Sequence, residues 1–233
     1  MQSIDKFNPD YKKQIIDLTA PIAPHWRYPI TVETVKSKDN GNIVNIRRFD
    51  MQSHWYTHID APLHYVNNGK TLDDFPLENL MGKAVILDIS DVDANEEITV
   101  DHLQKAQKAI DGLPHCNIML LRTSWAQKVD WNSREYWKTA PYLSDEAAVF
   151  LRELGPKVVG FDFPQDYDIR RATDIPENEI HYTTHIHLLA HSILMIEYLT
   201  NLWLIPSLVF DFIALPVGLQ KADGAQVRAI AVI

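Results

Sequence analysis

The chain has 233 residues, 46% of them hydrophobic and 23% charged, enough apolar material for one large buried core. Its formal charge of −9, with no Lys/Arg cluster, argues against a nucleic-acid partner, and a single cysteine, Cys116, excludes an intrachain disulfide framework and any cysteine-rich metal site. MQSIDKFNPDYKKQ at the start has no apolar h-region, and no apolar run approaches the roughly 18 residues of a membrane span, so a soluble, cytoplasmic protein is expected.

In chain order, the first segment that stands out is SHWYTHIDAPLHY, residues 53–65, with three histidines, an aspartate and a proline. A helix does not bring these groups together: at 100° per residue Asp60 lies about 240° round from His54, and Pro62 breaks a helix interior. One flat strand fails too, since His54 and His64 would be roughly 33 Å apart at about 3.3 Å per residue. If the groups meet, the chain curls around a point, and neutral imidazoles with a carboxylate suit a zinc or manganese ion there.

AVILDIS (84–90), NIMLLRT (117–123), KVVGFDF (157–163) and LVFDFIALPV (208–217) are short apolar runs with polar or Gly/Pro boundaries, and they read as buried strands. DANEEITVDHLQKAQKAI has an acidic beginning and helical apolar spacing, and Ser144 precedes DEAAVFLREL as an N-cap precedes an acidic first turn. Helices alternating with strands make the class α/β, and the scattered prolines, without a repeat or linker, favour a single domain over residues 1–233. In HYTTHIHLLAHSILMIEYLTNL (181–202), Leu188 and Leu189 follow His185 at helical spacing, and ILMIEYL reads as a strand carrying Glu197 among apolar residues. A carboxylate buried there must be paired, protonated or bound to metal. His181, His187 and His191 are assigned no chemistry.

His54-x-x-Thr57-His58-x-Asp60-x-Pro62-x-His64 resembles the H-x-G-T-H-x-D-x-P-x-H signature of the metal-dependent cyclase family, which has formamidase and isatin-hydrolase branches. IIDLTAPIAP, LLRTSW, LSDEAAVFLRELGPKVVGFDFPQD, HIHLLAHSILMIEYLTNL and FIALPVGLQKADGAQVRAIAVI are similar to further family segments and occur in family order. The resemblance implies a swivelling β/β/α fold, usually in homodimers or homotetramers. It also implies a divalent zinc or manganese ion held by His54, His58 and Asp60, with His185 and Glu197 completing a second position in one branch. His64 matches the family's acid/base histidine, and the activity implied is hydrolysis of a small molecule's amide, formamide or lactam C–N bond by a metal-activated water.

Thr57 is expected to hydrogen-bond the loop or a metal-bound group, Pro62 to fix the backbone, and Trp26 and Tyr28 of HWRYP either to stack on a planar ligand or to pack. Three positions depart from the family pattern: Tyr56 and Ser192 replace glycines, and Gln165 replaces a small residue. A tyrosine prefers negative φ and fills space, so Tyr56 is expected to line and narrow the substrate site. That leaves a catalytically impaired binding protein of the same fold as the alternative reading. His58-x-Asp60 with His185 also fits the facial triad of a non-haem iron oxygenase, but the helix–strand alternation does not suit a jelly roll.

Overall fold

A computed structural model describes residues 14–112 and 115–233. The first residues, read above for targeting, lie largely outside the described ones. The strands and helices in chain order are β1 (Ile15–Asp17), β2 (Thr31–Lys36), β3 (Ile46–Asp50), β4 (His58–Asp60), β5 (Met81–Asp88), β6 (Glu97–Ile98), α1 (Val100–Lys108), β7 (Ile118–Arg122), α2 (Trp125–Lys128), α3 (Arg134–Lys138), β8 (Tyr142–Leu143), α4 (Asp145–Glu153), β9 (Val158–Phe161), α5 (Thr183–Leu189), β10 (Leu194–Glu197), β11 (Val209–Pro216) and β12 (Gly224–Val232). The fold class is α/β, as expected.

Eight strands form one sheet in the order β1-β12-β11-β5-β7-β9-β10-β4, and β4 also pairs with β12, so the sheet curls closed. Its centre, β5-β7-β9-β10, is parallel, and the remaining pairings are antiparallel. Three of the four apolar runs read as strands contain β7, β9 and β11, and the fourth overlaps β5, which starts three residues earlier than its run.

Strand parity divides the core in two. Ile59, Ile86, Leu120, Val158, Ile196 and Phe212 face the interior of the curled sheet. Leu87, Leu121, Val159, Phe161 and Met195 face the other way, and on that side Leu103 and Ala106 of α1, Ala147 and Leu151 of α4, and Leu188 and Leu189 of α5 pack on them. A two-sided core of this kind explains why the parallel strands read as continuous apolar runs rather than alternating ones.

Local rules account for the helix boundaries. The Ser144 side chain accepts a hydrogen bond from the Ala147 N–H, and Gly155, at φ +74°, ends α4 by returning its N–H to the Arg152 carbonyl. The acidic stretch expected to open α1 behaves differently: Glu97–Ile98 pairs with β8, and the helix starts only after Thr99, whose reciprocal cap with His102 fixes the boundary.

Asp162, just beyond β9, accepts hydrogen bonds from the Thr123 N–H and hydroxyl and from the Ser124 N–H at 2.7–2.9 Å. This buried clamp ties the end of β7 to the turn that continues to Gln165 and Asp166. The hairpin of β2 and β3 stands apart, paired only with itself and with no residue buried.

Candidate metal centre

The cluster is assembled from strand parity. β4 lies antiparallel to β10 with Met195 opposite Asp60, Ile196 opposite Ile59 and Glu197 opposite His58. Since Ile59 and Ile196 face the interior of the curled sheet, His58, Asp60 and Glu197 share the opposite face. All three are buried, Asp60 completely. His58 Nε2 lies 3.1 Å from Asp60 Oδ1 and 3.5 Å from Glu197 Oε2. α5 brings in His185, whose Nε2 lies 3.7 Å from Asp60 Oδ2 and 3.5 Å from Glu197 Oε1.

The loop before β4 supplies His54, with Nδ1 2.6 Å from Asp60 Oδ1. Room for its ring depends on Gly224 of β12, where a Cβ would lie 2.4 Å from His54 Cε1 and 2.8 Å from the Ile59 carbonyl. The 3-10 turn Pro62–His64 then folds the chain back, so that the His64 ring stacks on His54 with centroids 3.7 Å apart. A second glycine allows this turn: a Cβ on Gly69 would meet the Pro62 backbone at 2.6 Å. The curl required by the sequence pattern is therefore a strand end followed by a tight turn.

Three of the imidazoles are anchored from behind. His54 Nε2 donates to Asp223 Oδ2 at 2.8 Å, His58 Nδ1 to the Tyr56 carbonyl at 2.8 Å, and His185 Nδ1 to Asp166 Oδ2 at 2.7 Å. Such outer hydrogen bonds fix ring orientation and aim the other nitrogen inward, which is how metal-binding histidines are held. Gln165 donates its side-chain N–H to Glu197 Oε1. Meanwhile Asp60 Oδ2 is buried with no donor, an acceptor that only a cation or a bound water would satisfy.

Donor atoms of His58, Asp60 and Glu197 lie within 4.8 Å of one another, and so do those of His54, Asp60 and His64. The residues present therefore fit one or two divalent cations, with Asp60 common to both groups.

Electrostatics agree with this geometry. Burial alone would raise the Asp60 carboxyl, yet His58 and His54 hold it well below its ordinary value. Burial works against protonation of His54, but Asp60 and Asp223 lift it to about 9. His185 likewise reaches about 9 through Asp166, Glu197 and Asp60. His64 goes the other way: burial, aided by the neighbouring imidazoles against the pull of Asp60, lowers it to about 4.

A cavity of about 390 Å³ opens onto the cluster, lined by His64, His185 and Glu197 together with Tyr28, Trp55 and Tyr182 among others. Trp26 and Tyr56, expected to face substrate, are not among the residues that line it. Tyr56 adopts a left-handed conformation of the kind that favours glycine, at φ +58°, and its ring is buried beside His25 and Tyr28 with the hydroxyl donating to the Ala23 carbonyl at 2.5 Å. Ser192 also takes up a glycine-like φ of +59°, at the turn after α5.

Thr57 accepts from the Ala20 N–H and donates to the Tyr198 carbonyl, a purely structural role. Pro62 opens its 3-10 turn, as a backbone-fixing residue should. Asp166, Asp223 and the Gln165 contact were not identified from sequence; Asp223 is 169 residues from His54, and only folding reveals the pair.

Elemental analysis of purified protein is expected to find bound divalent metal that falls to background in Asp60→Ala, drops to at most half in Glu197→Ala if two ions are bound, and is reduced in Gly224→Ala, where the added methyl displaces His54. Because His54 and His185 hold protons up to about pH 9 without metal, uptake must release protons, and apparent affinity is expected to climb as pH rises from about 6.5 to 9. The same raised values stabilise the metal-free protein fully below the unfolded value of 6.5, and that contribution disappears as pH passes through about 9. The gap in melting temperature between metal-loaded and metal-free protein is therefore expected to widen over that interval.

Residues 16–166 match the family model described as "Putative cyclase". The chain is 31% identical over 204 residues to the kynurenine formamidase of Bacillus mycoides (strain KBAB4) and 33% identical over 202 residues to that of Bacillus cytotoxicus, with 87% of each chain covered in both cases. In fold it is similar to isatin hydrolase A from Labrenzia aggregata, at a TM-score of 0.80 and 21% identity, covering 100% of this chain and 99% of that one. It is also similar to a structure described as a potential metal-dependent hydrolase with cyclase activity, at a TM-score of 0.70 and 26% identity, covering 94% of this chain and 98% of that one. The motif loop, the closed sheet and these relatives agree, and the chain belongs to the cyclase family.

Proposed function

We propose that this protein is a metal-dependent hydrolase that cleaves the C–N bond of an amide, formamide or lactam in a small molecule. The observation that carries the reading is the cluster of His54, His58, Asp60, His185 and Glu197, every imidazole oriented from behind and Asp60 Oδ2 left without a donor. Relatives named kynurenine formamidase support the C–N bond as the target. The cation is zinc or manganese, one or two per subunit, held by those five residues.

A divalent cation held by these residues would lower the pKa of a water from about 15.7 toward 7 and polarise the carbonyl under attack. The protein's own part is positional and acid/base. His64, beside His54 and on the cavity, takes a proton from the attacking water and returns it to the leaving nitrogen. Asp60 and Glu197 supply the negative charge that holds the cation, while Asp223, Asp166 and the Tyr56 carbonyl keep the imidazoles aimed. Tyr28, with Trp55 next to it on the cavity, offers the flat surface for a planar substrate. The rival reading of an impaired binding protein loses its motive, because the Tyr56 ring that would have obstructed substrate does not line the cavity.

The same proposal includes a homodimer or homotetramer. The hairpin of β2 and β3 exposes Val32, Ile46 and Phe49, and an isolated two-stranded hairpin is at best marginal in water. A second copy of the chain is the partner that would cover it. A single cysteine and a net charge of −9 support a reducing, cytoplasmic setting without nucleic acid.

His64→Ala is expected to lower kcat by about 10²–10⁴ on an aryl formamide while the group of His58, Asp60 and Glu197 keeps its metal; unchanged turnover would remove His64 from its role. Light scattering is expected to give a mass of at least two chains for the wild type and a lower mass for Val32→Asp/Phe49→Asp, and a monomeric wild type would refute the oligomer.

A further inference from the structure

The two oxygens of Glu197 face different halves of the centre. Oε2 lies 3.5 Å from His58 Nε2, on the side where Asp60 completes a compact group of donors. Oε1 lies 3.5 Å from His185 Nε2 and accepts a hydrogen bond from the side-chain amide of Gln165. Among the described residues, neither compact donor group includes His185, although its Nε2 faces both Asp60 Oδ2 and Glu197 Oε1. Gln165 therefore touches the half of the centre where donors are sparser.

The orientation of Gln165 is dictated by its surroundings. The side chain is completely buried, and its Oε1 has no donor. A buried amide leaves its oxygen unpaired only where the reverse orientation is worse, and turned over it would set that oxygen against the Glu197 carboxylate. Its backbone is fixed on several sides. The Leu143 N–H donates to the Gln165 carbonyl at 2.9 Å, Asp162 upstream is clamped to Thr123 and Ser124, and Asp166 next in the chain accepts from the Thr184 N–H and holds His185. Gln165 is not among the residues that line the cavity, so its N–H serves the carboxylate rather than a substrate.

A second divalent cation on this side would draw on Glu197 Oε1 and His185 Nε2, and it would repel the first across a few ångströms. What offsets such repulsion is the negative charge of the carboxylates between the two ions. The Gln165 N–H takes up part of that charge and points the positive end of an amide dipole at the oxygen in question. Displacing it would leave both ends of a buried amide unpaired.

We propose that Gln165 is a positioning residue that keeps the centre to one tightly held cation. It binds Glu197 Oε1, fixes Oε2 toward His58 and Asp60, and weakens the His185 side for a second ion. This rests on the metal-centre reading above and decides between its one cation and two.

The test titrates Mn²⁺ alone into metal-free full-length protein, following heat and electron paramagnetic resonance, for wild type, Gln165→Ser and the near-isosteric Gln165→Glu. The wild type is expected to take one equivalent tightly and a second about 100-fold more weakly. In each variant that second step is expected to tighten by about 10- to 100-fold. At two equivalents the spectrum is expected to change from that of isolated ions in the wild type to that of a spin-coupled pair in the variants, which loss of packing alone would not produce. Either variant suffices if the other fails to fold. Two equivalents of similar affinity in the wild type, or a second step that no folded variant moves, overturns the proposal.

Hydrolysis of formanilide and a panel of lactams by the same samples separates the two readings. A second step that answers to Gln165, with no turnover of any of these compounds, would retain Gln165 in its role and refute the hydrolase reading. Turnover by a wild type that binds two cations alike would do the reverse. No uptake of Mn²⁺ or Zn²⁺ by any of the three proteins would overturn both.

Discussion

The centre depends on one carboxylate. Asp60 is completely buried, with one oxygen against two imidazoles and the other without any donor. An ionised carboxylate in such a place is costly unless positive charge surrounds it, and His54, His58 and His185 are the groups that can provide it. Each of these rings must then be held at a fixed angle, which accounts for Asp223, Asp166 and the Tyr56 carbonyl behind them. The closed sheet, the two glycines at 69 and 224, and the turn through Pro62 all follow from the need to bring these rings to one buried oxygen.

The crowding of 53–65 and the glutamate inside an apolar strand were legible in the sequence because both are local, whereas the full ligand set, His185 included, came from the family resemblance. Strand positions were legible for the same reason, since each parallel strand is apolar on both faces. The hydrogen-bonding partners behind the rings were not. Asp166 and Asp223 look like ordinary loop acids in sequence; the pairing of β12 with β4 brings Asp223 to His54, and the segment after β9 brings Asp166 to His185 on α5. The short strand β6 was missed because an acidic stretch before a capped helix resembles a first helical turn.

Tyr56 shows how far a side chain can compensate for backbone cost. A non-glycine residue at φ +58° carries strain on the order of 1–3 kcal/mol. Burying a large ring yields a gain of similar size, about 1.5–3 kcal/mol, and the hydroxyl finds a carbonyl partner at Ala23. Tyr198 and Asn201, next to Glu197, and Ser124, on the Asp162 clamp, adopt the same region. Left-handed residues thus flank both strand ends that lead into the centre. The bends there are sharp, as chain reversals beside a buried cluster must be.

The pairing of β12 with both β1 and β4 has a consequence for the order in which the protein can be made. A nascent chain that has emerged from the ribosome through Glu197 already contains His54, His58, Asp60, His185 and Glu197, yet it lacks β11 and β12. Without β12 the sheet is open, His54 has no Asp223 behind it, and β4 has one neighbour instead of two. Closure of the sheet by β12 is therefore what completes the surroundings of the cluster, because it sets Asp223 behind His54 and gives β4 its second neighbour.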